Sequence, residues 1–240
     1  MILVIAILII STLAGGLLSN SIDFKPETIR NPLIFAGSFL FSITIIHILP
    51  EVYSFGMNPM EIGLYVLIGF FLQQFLEYFS SGIEHGHLHK GHDLTETSKW
   101  SIVIALIVHS LLEGSLLTHD SPFHEKNESY SVLAGILLHK VPAAFALMTT
   151  LKTGQKFTKS QWIILILFSV ASPIGLLLSG YILDLSHNVL IILFAVVAGS
   201  FLHISTTIFV ESSPNHHFGL KKILISLLGA GIAIMSEYLF

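Results

Sequence analysis

The sequence predicts an all-α membrane protein with eight transmembrane helices. Three observations support that expectation. The 240-residue chain is 53% hydrophobic and only 11% charged, with a mean hydropathy of +0.81, whereas soluble domains carry about 25% charged residues. Its apolar residues gather into runs close to the roughly 20 residues that cross a bilayer core as a helix. The connectors between the runs are short and polar, as in SNSIDFKPETIRN and ESSPNHHFGLKK.

The eight runs are 1–18, 32–51, 61–81, 100–118, 131–151, 161–183, 188–210 and 220–240. The first, opening MILVIAILII, has no basic segment ahead of it, which argues for a first span and against a cleaved signal peptide. Basic residues set the orientation, because loops on the cytoplasmic side are enriched in Lys and Arg. Lys25 and Arg30 follow the first run, and Lys90 and Lys99 the third. Lys152, Lys156 and Lys159 follow the fifth, and Lys221 and Lys222 the seventh. All nine fall on one side, assigned to the cytoplasm, and the opposite loops hold only Lys126. Both termini are then extracytoplasmic. The connectors leave no room for a soluble domain, so residues 1–240 read as a single transmembrane domain.

Composition also narrows the chemistry. The chain has no cysteine, so disulfides and thiolate metal sites are excluded and nitrogen and oxygen ligands remain. A net charge of -4 gives no basic footprint for nucleic acid. Thirteen histidines against eleven Lys and Arg point to metal or proton chemistry.

An ionisable side chain inside a membrane span is costly and calls for a partner or a role. Such residues here are His47, Glu51, Gln73, Gln74, Glu77, His109, Glu113, His139, Lys140, His203 and Glu211. His109 and Glu113 lie in the second half of the fourth run, IVIALIVHSLLEGSLL. Their i, i+4 spacing stacks them on one helical face. That face serves either one shared ion or a private His–Glu hydrogen bond between helices. The fifth run, SVLAGILLHKVPAAFALMTT, adds His139 and Lys140 just before Pro142. Proline removes a donor and crowds the carbonyl of Leu138, so a break is expected there, which membrane helices tolerate where polar groups gather. Ala143, Ala144 and Gly114 permit close packing, suggesting a site between the fourth and fifth helices.

The third run presents Gln73, Gln74 and Glu77 as a polar patch. In the seventh, Ser205, Thr206 and Thr207 suit bonds to their own helix backbone, and His203 stands beside them as a ligand or a packed imidazole. His47 and Glu51 repeat the i, i+4 pairing around Pro50, as a relay point near the outer mouth or a helix-end feature. The loop at about 82–98 contains IEHGHLHKGHD, with His85, His87, His89 and His92 between glycines. Neutral imidazoles bind zinc and other late first-row metals, so this loop reads as metal capture or as solvated chain.

Taken together, these residues resemble the ZIP (Zrt/Irt-like) metal-ion transporters. HSLLEG resembles the family's His-Asn-x-x-(Asp/Glu)-Gly signature in the fourth span, and HKVP its His-x-x-Pro element in the fifth. LLHKVPAAFAL is especially similar to the Golgi-type eukaryotic branch, and HILPE and AGSFLHIS are also family-like. The resemblance implies a fold with three helices, two central helices and three more, the outer triplets related by an inverted repeat. It implies a permease moving divalent zinc, iron or manganese towards the cytoplasm, without a prosthetic group, and a homodimer; mixed His and Glu ligands also suit cadmium. Carried over by position, His109, Glu113 and His139 are its metal ligands. Ser110, Lys140, Ala144 and Ser172 stand where binuclear members carry Asn or carboxylates, so the resemblance does not extend to a second metal. Lys140 is not a ligand while protonated. Its ammonium is expected either to take the electrostatic place of a second cation beside Glu113 or to pair with Glu77 or a helix C-terminus. Ser110, Lys140, His203, Glu77, Gln73, His47 and Glu51 are accessory candidates.

Two other functions compete. In an intramembrane zinc hydrolase acting on a lipid, His109, His139 and His203 would hold the metal and Glu113 would act as base. A metal-responsive receptor without transport is disfavoured by the short loops. A carboxylate-poor centre argues against calcium or magnesium, which take several oxygen ligands. Asn127-Glu128-Ser129 matches a glycosylation acceptor in an outer loop, and LLGAGIAIM in the eighth run offers small residues for a partner helix.

Overall fold

Helix follows helix in the structure, a computed structural model that describes residues 1–21, 26–80, 96–118, 129–152, 156–183, 185–211 and 219–239. Among the described residues there are eight long helices. They are α1 (Ile2–Ser21), α2 (Pro26–Ile43, continued by Thr44–Ile48 and Leu49–Ser54), α3 (Pro59–Ser80) and α4 (Glu96–Ser115, ending in Leu116–Thr118). The others are α5 (Ser129–Leu151), α6 (Lys159–Leu177, continued by Leu178–Ile182), α7 (His187–Glu211) and α8 (Leu220–Leu239). Each predicted run corresponds to one of them. Six are long and apolar enough to cross a membrane by length and composition, the exceptions being α4 and α8. In α4 the apolar run is interrupted by the polar residues discussed below, and α8 carries Lys221, Lys222 and Glu237.

Local sequence explains several boundaries. Between α2 and α3, Gly56 takes a positive φ of 82°, which glycine adopts without a Cβ clash. Asn58 then accepts a hydrogen bond from the Met60 amide at 2.9 Å, ahead of Pro59 as the first helical residue. Thr158 and Gln161 form a reciprocal capping box that starts α6. The Gln161 amide also donates to the Leu151 carbonyl at 2.6 Å, tying the start of α6 to the end of α5. At the same end, the Lys152 ammonium donates to the Ser19 carbonyl at 3.1 Å, where a cation suits the C-terminal end of α1.

The fold is turned inside out relative to a soluble bundle. On α3, Leu64, Leu67, Ile68, Phe71, Phe75 and Tyr78 are exposed, and their spacing of three and four gathers them on one outward face. Gln73 and Gly69, on the opposite face, are buried. Of the six apolar spans α5 is the most enclosed and α3 the least. Several interior hydroxyls bond within their own helices: Thr12 to Leu8, Ser38 to Ile34, Ser205 to Phe201 and Thr206 to Leu202.

The most extensive packing joins α3 to α7, and then α1 to α5, α2 to α8 and α4 to α6. Contacts of α1 with α6 and of α2 with α7 link these pairs into two groups of four: α1, α4, α5 and α6, and α2, α3, α7 and α8. The groups meet where α2 touches α5 and α3 touches α4, contacts about as extensive as those of α1 with α6 and of α2 with α7. Exchanging α1 with α6, α2 with α7, α3 with α8 and α4 with α5 converts the four closest pairs into one another, as an inverted repeat requires.

Glycines set the closest approaches. A Cβ at Gly114 would fall on the Ser172 carbonyl, and one at Gly175 on the Leu111 carbonyl, so α4 and α6 touch backbone to backbone. Gly69 and Gly199 do the same for α3 and α7, against Val196 and Val66. The helix is not interrupted at Pro142: α5 runs from Ser129 to Leu151 with Pro142 inside it. Departures from α-helical pairing lie instead at the π turns Thr44–Ile48 in α2 and Leu178–Ile182 in α6.

Candidate metal site

His109, Glu113 and His139 converge between α4 and α5. Each offers one ligand atom, and the three atoms lie within 4.8 Å of one another. All three side chains are almost fully enclosed, at 2%, 1% and 1% exposure. One turn of α4 sets His109 Nε2 at 2.9 Å from Glu113 Oε1. His139 Nε2 reaches the same oxygen from α5 at 4.0 Å. The two imidazole rings meet edge to face with centroids 5.8 Å apart.

The second carboxylate oxygen faces a cation. Lys140, 1% exposed, places its Nζ 3.3 Å from Glu113 Oε2. The same ammonium donates to Ser110 Oγ at 2.8 Å and Ser172 Oγ at 2.6 Å. Ser172 in turn donates to the Ser110 carbonyl at 2.9 Å. The Lys140 Nζ also stands 4.8 Å from the centre of the Phe168 ring, a favourable cation–π distance. Lys140 therefore turns towards Glu113, whereas Glu77 meets His203. A buried ammonium with oxygen acceptors on several sides is what a low-dielectric interior requires of a retained charge.

His109 is also held from α3. Its Nδ1 lies 3.1 Å from Gln73 Oε1, and Ser200 of α7 donates its hydroxyl to that oxygen at 2.8 Å. One turn further along the same two helices, His203 Nε2 is hydrogen-bonded to Glu77 Oε2. Thr207 Oγ1 lies 3.4 Å from the same nitrogen, and Phe70 packs edge-on against the ring. His203 is thus not one of the three converging side chains, and the three-His catalytic arrangement does not form.

His47 and Glu51 lie elsewhere. His47 sits on the π turn of α2, with Nε2 3.6 Å from Glu51 Oε2 and Nδ1 2.8 Å from Glu237 Oε2 on α8. The sequence reading missed Glu237 and Ser200. Glu237 was detectable as a carboxylate in the last turn of an apolar run, but Ser200 carries no pattern of its own. His85, His87, His89 and His92 lie outside the described residues, as does Asn127.

An all-helical bundle with an apolar exterior and ionisable groups enclosed between its helices is a multi-pass integral membrane protein, and its imidazoles and carboxylate are of the kind that ion permeases use. The family model described as ZIP zinc transporter matches residues 84–237, and the chain belongs to the ZIP family. The match spans α4 to α8. No curated protein matches the chain. Members of the family are transporters of divalent metal ions and not enzymes, which removes the ground for the hydrolase reading.

Proposed function

We propose that the protein moves zinc across the membrane towards the cytoplasm by alternating access, with His109, Glu113 and His139 as the ligands of the ion in transit. The observation that carries this reading is the convergence of two imidazoles and one carboxylate at a buried level between α4 and α5. Ligand atoms around a tetrahedral zinc ion stand about 3.3 Å apart, given bonds of about 2.0 Å. The separations of 2.9 and 4.0 Å at Glu113 Oε1 bracket that value, and the full spread of up to 4.8 Å means that the three side chains would draw together on the ion. Mixed nitrogen and oxygen donors suit zinc, with Fe(II), Mn(II), Co(II) and Cd(II) as competitors. The inward direction rests on the basic ends of the helices, and the span-five string LLHKVPAAFAL supports placement on the Golgi-type branch.

In the same reading Lys140 stands in for a second cation. It balances Glu113 and leaves room for one divalent ion at a time, and its repulsion of that ion favours release. Ser110 and Ser172 hold it in place.

The test is zinc uptake into proteoliposomes, comparing the parent with the His109→Ala, Glu113→Ala double variant. Uptake is expected in the parent and absent from the variant at an unchanged size-exclusion profile. Equal uptake in both would move the ion path elsewhere.

A further inference from the structure

The second ring nitrogen of His109 is engaged from the other group of four helices. Nε2 faces Glu113 within the cluster, and Nδ1 faces the carbonyl oxygen of Gln73. Gln73 is completely buried and Ser200 is 1% exposed. A carbonyl oxygen has two lone pairs, and here they accept from His109 Nδ1–H and from the Ser200 hydroxyl. That arrangement places a proton on Nδ1, so that Nε2, the nitrogen beside Glu113 and His139, is the one that an ion would take. Metal-binding histidines generally donate their other ring N–H to a carbonyl or carboxylate, which sets the tautomer and raises the basicity of the ligand.

Packing explains how the pair reaches the site. Gly69 and Gly199 bring α3 and α7 into backbone contact, and Ser200 follows Gly199 directly. The hydroxyl and the amide are thereby held together before either meets His109. Gln73 and Ser200 belong to the group α2, α3, α7 and α8, while all three ligands belong to α4 and α5. The bond from His109 to Gln73 crosses the boundary between the groups.

We propose that Gln73 is a positioning residue for the transported ion, backed by Ser200, and that it sets the tautomer and orientation of His109 from across that boundary. The inference rests on the transport reading above. It has a mechanical consequence. Affinity is highest when the two groups stand as they do here, and it falls when relative movement takes the Gln73 oxygen away from Nδ1. A ligand shifts a two-state equilibrium only through different affinities for the two states, and this bond supplies such a difference.

The experiment is calorimetric titration of the purified full chain with zinc alone, paired with initial rates of zinc uptake. Gln73→Leu removes the acceptor and is expected to raise Kd 10- to 100-fold, the range for loss of an outer-shell partner. The KM for uptake should rise in parallel while the maximal rate falls by much less. Gln73→Glu keeps an acceptor at that place and is expected to bind zinc at least as tightly as the parent. Ser200→Ala, a smaller change that leaves the Gln73 oxygen in place, should give a several-fold increase in Kd. A Gln73→Leu protein that binds zinc within twofold of the parent, while His109→Ala abolishes binding, would overturn the inference and leave the transport site standing. Equal loss in Gln73→Leu and Gln73→Glu would also overturn it, since the acceptor would then not matter. Unchanged binding in His109→Ala would instead sink the transport reading on which it rests.

Discussion

Lys140 has three ammonium hydrogens, and Ser110 Oγ, Ser172 Oγ and Glu113 Oε2 stand around it at 2.8, 2.6 and 3.3 Å. Removing one partner of a buried pair leaves the other charge uncompensated and costs about 3–5 kcal/mol. Lys140→Met keeps the length of the side chain but leaves Glu113 without its ammonium. The variant should therefore unfold at a markedly lower temperature than the parent. A divalent ion can replace the missing charge, so zinc should raise the unfolding temperature of Lys140→Met more than that of the parent, since binding to the native state stabilises by mass action. Turnover should fall, because the ion now leaves a site without a neighbouring positive charge. Identical zinc-induced shifts in both proteins would refute the role given to Lys140. At this scale the sequence was informative where charge met periodicity. His109 and Glu113 share a face by spacing alone, and His139 and Lys140 stand out in an apolar run. Ser172 and Ser200 were not legible as partners, because a hydroxyl in a membrane helix ordinarily bonds to its own backbone and leaves no signature.

Between α4 and α6 the contact is backbone on backbone, reciprocally at Gly114 and Gly175. Gly114 follows Glu113 directly, so the same approach that joins the helices also brings Ser172 to Lys140. A side chain at Gly114 would have to displace a carbonyl and not a flexible side chain. Overpacking generally costs about 1–3 kcal/mol, and more when backbone must move. Gly114→Val is accordingly expected to lose at least about 3 kcal/mol of stability, read as thermal unfolding in detergent. Gly231 on α8 has open space around its Cβ position, and Ala is a better helix former than Gly by up to about 1 kcal/mol. Gly231→Ala should be neutral or stabilising, and a comparable loss in both variants would show that the close approach does not limit stability. Each of the eight helices lies on a predicted run, although α4 and α8 are less apolar than the other six. The continuation of α5 past Pro142 and the π turns in α2 and α6 were not readable, because proline signals a missing donor but not whether the helix resumes beyond it.

Eight apolar runs do not say which helices touch, and the division into two groups of four appears only in the packing. Close glycine contacts hold α3 to α7 within one group and α4 to α6 within the other. Across the boundary the contacts include side chains, as where a Cβ at Gly135 of α5 would lie 3.5 Å from atoms of Leu40 and Phe39 on α2. Side chains also fill the approach of α1 to α6 at Gly16 and of α2 to α7 at Gly37, and an interface between side chains can exchange one arrangement for another. Movement of one group against the other during alternating access predicts that, of these three interfaces, the one between α2 and α5 exchanges. The cysteine-free sequence makes this directly testable with introduced thiol pairs and a short bifunctional thiol reagent. Leu40→Cys with Gly135→Cys joins the two groups, and its cross-linking should stop zinc uptake in proteoliposomes, with recovery when a cleavable linker is cut. Phe41→Cys with Phe209→Cys joins α2 to α7 inside one group, at a pair whose rings stand 6.0 Å apart, and cross-linking there should leave most of the uptake. Full activity in the first cross-linked protein would show that the boundary between α2 and α5 does not move during transport, and the moving boundary would then have to be sought inside one of the two groups.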